Sequence, residues 1–387
     1  MNPLPRILFV SCMVPSAHYS ASMAQMSALL ERYAGHFVWF SLRKPAPDQK
    51  NPFSIPFAFA EPLQKPARLP RLKQYLNLGP WARRMGRQAA EFGRAQHVDL
   101  VLTDMAFEAV VAGRAAAQRL GLPMLASVQD PPVNRLRIKG YPGWLLRWYE
   151  NEFAGALRAA VRCAVVSDYM GEAYQKKYGV DTVTLYLGVE EQKCLPPRPL
   201  DATKSPIVIG SVGSILSAQN WGILIEAVRL LNQKHATKFR ILHIGNLPEG
   251  ISSAPEVEVT GWVAAQETMA HYLARIDIGF LNYSFNPQFA ETGRTSFPTK
   301  VHSYIQAQVP MLALGSADST VVRFVQDHRC GTVCTLPEVE SLAKQIESLV
   351  FGEDHYQIAL QGVMALKSIF SRQQFFECFE RFLWAAV

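Results

Sequence analysis

Three groups of residues carry side chains suited to chemistry on a phosphorylated, hydroxyl-bearing substrate. The first is Ser296, Phe297, Pro298, Thr299 and Lys300, which open a helix expected over residues 296–308. Serine is a good N-cap, and proline costs nothing in a first turn, where the N–H has no helical partner. The free amides at 297–300, the positive end of the helix dipole and the Lys300 ammonium would together hold a diphosphate. The polar, glycine-containing stretch 291–295 leads into it, and there Arg294 offers a bidentate fork while Glu291 offers a carboxylate. Two solvated cations would be the plainer reading of Arg294 and Lys300. The second group is Gly213-Ser214, directly after an apolar strand at 207–212, where glycine lets backbone approach a phosphate closely. The third is a pair of carboxylates, Asp104 and Asp130, each just past a short apolar strand (99–103 and 123–128). A carboxylate there can orient substrate hydroxyls or accept a proton from one. It can equally cap a turn.

These groups need a scaffold, and the apolar pattern supplies one. Strands are expected at 6–11, 37–42, 99–103, 123–128 and 163–167, separated by helices that include 108–120 and 144–161. Such alternation signals a parallel sheet covered on both faces. A Pro-rich segment, 191–206, reads as a linker between a first domain at 1–190 and a second at 207–370. In the second domain the pattern restarts, with strands at 207–212, 240–245, 257–260, 276–281, 311–314 and 331–334. Residues 371–387 form a last helix with Phe375, Phe376, Phe379, Phe382, Leu383 and Trp384 along one apolar face.

The segment from Ser296 to Pro310 resembles the nucleotide-binding segment of the large retaining family of bacterial GT-B glycosyltransferases, which are family 4-like. Pro298, Lys300, Tyr304 and Pro310 match its pattern. The resemblance covers essentially the whole chain. It implies an α/β protein of two tandem Rossmann-like domains facing across a cleft, with the last helix packing back on the first domain. It also implies a nucleotide-sugar donor on the second domain and a lipid-linked or saccharide acceptor on the first. Donor-binding positions would be Gly213, Ser214, Glu291, Arg294, Thr295, Pro298, Thr299, Lys300 and Ser303, and catalytic positions Asp104 and Asp130. Two departures stand out. The family's usual pair of glutamates falls on Thr295 and Ser303, and the cation usual after the glycine turn is absent from Ser217, Ala218, Gln219 and Asn220. The missing glutamates support a non-catalytic GT-B partner subunit as the alternative to a transferase; a GT-B sugar-nucleotide epimerase is a further alternative, although the several acidic and histidine residues such enzymes rely on cannot be placed here.

Composition narrows the field. The 387 residues are 49% hydrophobic and 18% charged, enough for two buried cores. No eighteen-residue apolar run is present, no Asp-x-Asp occurs, and the nine histidines are dispersed, so neither a membrane span nor a metal site is expected. The six scattered cysteines suit reduced thiols and a cytoplasmic location. The net charge of +7 is uneven: Lys65, Arg68, Arg71, Lys73, Arg83, Arg84 and Arg87 come with no acidic residue among them. With Leu72, Tyr75 and Trp81 interleaved, and Trp144, Arg147 and Trp148 elsewhere in the first domain, they predict adhesion to an anionic membrane surface. That would put the protein peripherally on the inner face of the plasma membrane. No nucleic-acid module accompanies the charge.

Overall fold

A computed structural model describes residues 4–15, 21–46, 51–61, 70–201, 203, 205–251, 253–263 and 266–386. Lys65 and Arg68 lie outside them. The chain divides into two units, one running to Tyr186 and taking in the residues from Phe376 on, the other spanning Leu187–Phe375.

The first unit is built on a seven-stranded sheet: β1 (Ile7–Ser11), β2 (Phe37–Ser41), β3 (Phe57–Phe59), β4 (Leu100–Asp104), β5 (Met124–Val128), β6 (Arg162–Val165) and β7 (Thr182–Thr184). The order is β3-β2-β1-β4-β5-β6-β7, and every pairing is parallel. Residues of β1, β2 and β4 are buried throughout, as expected of strands covered on both faces. Helices Ala82–Ala95 and Glu108–Leu120 cover one face and touch closely: a Cβ on Gly86 would lie 2.4 Å from the Ala112 carbonyl oxygen. Gly113 admits no more, since its Cβ would lie 2.1 Å from Thr103 Oγ1.

The closing helix, Arg372–Trp384, carries its later residues into this unit. Tyr33 meets Phe376 and Phe379 at ring separations of 5.6 and 5.7 Å, and its hydroxyl donates to Glu380 Oε1 at 2.6 Å.

The second unit has a six-stranded parallel sheet: β8 (Ile207–Val212), β9 (Phe239–Ile244), β10 (Val257–Val259), β11 (Ile278–Asn282), β12 (Met311–Leu314) and β13 (Gly331–Cys334). Its order is β10-β9-β8-β11-β12-β13. In both sheets the strand order reverses beside the first strand, at β1/β4 and at β8/β11. Open α/β sheets bind ligands beyond the carboxyl ends of the strands at such a switch point.

The expected linker behaves differently from a loose connection. The division falls at Tyr186/Leu187, ahead of residue 190, and the Pro-rich segment is tied to the second unit. The Leu195 amide donates to the Gln306 carbonyl at 2.8 Å, and Arg198 Nη2 to the Ile276 carbonyl at 2.9 Å. Prolines there restrict the unfolded backbone and so cut the cost of ordering the segment.

Candidate functional site

At the switch point of the second sheet, β8 ends at Val212 and the chain turns at Gly213, whose φ of +73° suits glycine. The Gly213 amide donates to the Ile244 carbonyl at 2.8 Å, leaving the exposed Ser214 at the tip. Ser217 then caps helix Ala218–Lys234 by accepting from the Asn220 amide at 3.2 Å. Ser217 and Asn220, where a cation was sought, are therefore occupied in starting a helix.

The helix facing this turn is Lys300–Ala307, four residues shorter at its start than expected. The stretch 291–295 that leads into it forms a short helix of its own, Ala290–Thr295. The Ser296 amide closes that earlier helix on the Thr292 carbonyl at 2.9 Å, so Ser296 ends one helix and does not cap the next. Phe297 then packs between Phe324 and Phe370, at 5.1 and 6.1 Å, and fixes the chain direction before the next helix begins. Entry comes through two three-residue turns, from Val301 to the Pro298 carbonyl (3.1 Å) and from His302 to the Thr299 carbonyl (3.0 Å). The helix is held against the sheet by Tyr304, whose buried hydroxyl is shared between the carbonyls of Gly210 (3.0 Å) and Phe280 (2.9 Å).

Lys300 joins the turn to the helix. Its side chain is buried, 7% exposed, and Nζ donates to the Ser214 carbonyl at 3.1 Å. Burial pulls its pKa down to about 8. An ammonium held dry with one carbonyl as partner lacks a counter-charge, which an anion at the turn would supply. Gly213, Ser214 and Thr299 are exposed here, while Pro298 and Ser303 are half-buried.

The other expected donor residues are engaged elsewhere. Arg294 is more than half exposed and pairs with Asp318 at 3.2 Å, so its fork is already partly taken. Thr295 is buried and donates its hydroxyl to the Glu291 carbonyl at 2.7 Å. His302 is buried between Phe297 and Phe370, with its pKa pulled down to about 4 by burial, so it is neutral. His243, the last residue but one of β9, packs against Trp221, and burial, then the Lys300 charge, lowers its pKa.

The first unit gathers its polar groups at the β1/β4 switch point. Asp104 closes β4, is 8% exposed and accepts a hydrogen bond from the Cys12 backbone. Burial pushes its pKa up to about 7, against the pull of Arg135. Asp130 follows β5 and pairs with Arg135 at 3.1 Å, both partners being about two-fifths exposed. Sequence reasoning missed Glu108 and Arg43, which form a 2.8 Å ion pair on the same edge, and Cys12, whose thiol lies 3.6 Å from Glu108 Oε2. Their one signal was position, since each follows a strand's carboxyl end. Among the described residues no cluster of three His, Cys, Asp or Glu side chains could hold a metal ion, and no helix is long and apolar enough to cross a membrane.

Comparison with known proteins gives each unit a counterpart. Residues 22–193 match Glycosyltransferase Family 4, and residues 206–351 match Glycosyl transferases group 1. Comparison with curated protein sequences finds no significant match. Similar solved structures include Anabaena HepE in complex with UDP and glucose, with TM-score 0.65, 17% identity, and 98% of this chain and 99% of that one covered. A UDP-forming α,α-trehalose-phosphate synthase from Burkholderia xenovorans has TM-score 0.65 at 12% identity, with 99% of each chain covered. A lipopolysaccharide outer core galactosyltransferase has TM-score 0.66 at 12% identity, covering 98% of this chain and 99% of that one.

Proposed function

Because the chain belongs to the family 4-like glycosyltransferases of the GT-B fold, we propose that it moves a sugar from a nucleoside diphosphate sugar on the second unit to an acceptor on the first. The observation that carries this reading is the Lys300 clasp on the Ser214 carbonyl, which puts a buried cation between a glycine turn and a helix start. As the glycosidic bond breaks, negative charge grows on the diphosphate. The Lys300 ammonium and the exposed start of its helix are preset to meet that charge, a contribution larger in the transition state than in the ground state. Lysine thereby supplies charge that a metal ion supplies in other transferases, which supports a metal-independent reaction. The family resemblance supports retention at the anomeric carbon.

Uridine is the first base to test, because HepE was solved with UDP and the trehalose-phosphate synthase is UDP-forming. Calorimetric titration of UDP, GDP and ADP is the direct experiment. Binding of none of them would overturn the donor assignment and favour a non-catalytic subunit. The side chains at Thr295 and Ser303, where the family carries glutamates, are the observation on that side.

A lipid-linked acceptor in polysaccharide biosynthesis, reached from the cytoplasmic leaflet, is part of the proposal. Its support is a surface of the first unit on which Leu72 and Trp144 are 48% and 47% exposed. Tyr75 packs on Trp144 and Trp148 at 5.8 and 5.4 Å, and Arg71, Arg84, Arg87 and Arg147 are exposed. Arg83 is held by Glu152 at 2.8 Å and adds less.

A further inference from the structure

Phe107 lies three residues beyond Asp104, at the start of helix Glu108–Leu120, with φ 46° and ψ −124°. That region belongs almost wholly to glycine, and a side chain there costs about 1–3 kcal/mol. The conformation is enforced from below: the hydroxyl of fully buried Tyr149 donates to the Phe107 carbonyl at 3.0 Å. A glycine would fit the backbone without strain, so the ring must do something that glycine cannot.

What the ring does is hold cations. Lys139 Nζ lies 4.3 Å from its centroid and Arg135 Cζ 5.3 Å, both within cation–π range. Both come from the segment after β5, and both side chains are exposed. Two like charges at one ring repel each other. Asp130 offsets Arg135 at 3.1 Å but uses only one of its guanidinium nitrogens. No carboxylate lies within ion-pair reach of Lys139 among the described residues, and the third cation on this edge, Arg43, is paired with Glu108. The edge therefore carries more positive charge than its carboxylates balance, and buried Asp104, at about 7, adds only part of a charge near neutrality.

We propose that Lys139 and Arg135, organised on the ring of Phe107, form an anion subsite that binds a phosphoryl group of the acceptor. The identity of the anion's carrier rests on the transfer reaction proposed above; the subsite itself does not. An acceptor held there by its phosphate has its hydroxyl groups beside Asp104 and Asp130. A sugar phosphate and a lipid diphosphate present the same chemistry to these two cations.

The test uses the full chain, Lys139→Met and the double variant Lys139→Met/Arg135→Gln, with far-ultraviolet dichroism and Tm as controls for folding. The probes are glucose against glucose 6-phosphate, and neutral phosphatidylcholine vesicles with and without a polyprenyl diphosphate sugar. At least one phosphorylated probe should bind about tenfold or more tightly than its unphosphorylated counterpart. Lys139→Met should cut that preference several-fold and the double variant should remove it, with UDP affinity unchanged in both. Which probe shows the preference identifies the carrier. No preference for either phosphorylated probe, or a preference that survives in the double variant, overturns the subsite. Failure of UDP to bind the unaltered protein would overturn only the donor assignment, since the acceptor-side titrations are read independently.

Discussion

Lys300→Met should make the free protein more stable while making it a poorer nucleotide binder. Burial pulls the lysine from its usual 10.5 to about 8, so the fold disfavours the ammonium by about 3 kcal/mol. A folded pKa below the unfolded one means the unfolded chain holds more protons between pH 8 and 10.5. Stability therefore rises with pH across that window, and the full penalty applies below pH 8. Methionine fills similar space without the charge. It forfeits the 3.1 Å bond to the Ser214 carbonyl, worth about 1 kcal/mol, but Ser214 is exposed and water can replace the donor. The net gain is about 2 kcal/mol, or roughly 4–8 °C in the Tm of a unit of this size. Differential scanning fluorimetry at pH 7 with and without UDP reads both effects. The variant should melt higher alone, and UDP should raise its Tm far less than it raises that of the unaltered protein. A variant that melts lower alone yet binds UDP with unchanged affinity would refute the assignment of Lys300 as a strained, anion-seeking cation.

Asp104→Asn bears on the acceptor side. Because burial raises this carboxyl to about 7, the native protein holds the extra proton and loses stability as pH rises from 4 to 7. The variant should therefore be about 2–4 kcal/mol more stable than the unaltered protein at pH 8, and indistinguishable near pH 4, by denaturant unfolding at both pH values. If the carboxylate also acts on the acceptor, the rise of kcat around pH 7 should disappear with it. Gly113→Ala places a methyl 2.1 Å from Thr103 Oγ1 and should cost about 1–3 kcal/mol, seen as a lowered Tm with UDP affinity intact. The face around Leu72 and Trp144 should bring the protein down with anionic vesicles at low salt and release it at high salt, since each basic residue contributes about 1 kcal/mol and salt screens it. Recovery in the supernatant under both conditions would remove the membrane from the proposal.

The doubled α/β pattern was legible because strands covered on both faces read as unbroken apolar runs; β12 at Met311–Leu314 falls where the sequence places it. The edge strands β3 and β7, three residues each, were not read, whereas the equally short edge strand β10 was, where Val257 and Val259 flank Glu258. Helix boundaries near the donor site were misread for a tertiary reason. Ser296 and Pro298 look like a helix start, yet the packing of Phe297 on Phe324 and Phe370 delays the helix to Lys300. The residue types at the site were readable, but their environments were not. That Lys300 is dry, that Arg294 is held by Asp318 and that Phe107 takes a glycine-like conformation all depend on neighbours distant in sequence or on backbone strain.

The return of the last helix to Tyr33 has a consequence for biosynthesis. The second unit is one continuous stretch, so everything it needs has been translated by Phe375. The first unit is discontinuous: its sheet precedes the whole of the second unit in the chain, while buried Phe379, stacked on Phe37, and buried Phe382 follow it. Domains ordinarily mature in the order of synthesis. Here the order inverts, and the first unit must wait, with the pocket for those phenylalanines open, until the whole of the second unit has been translated.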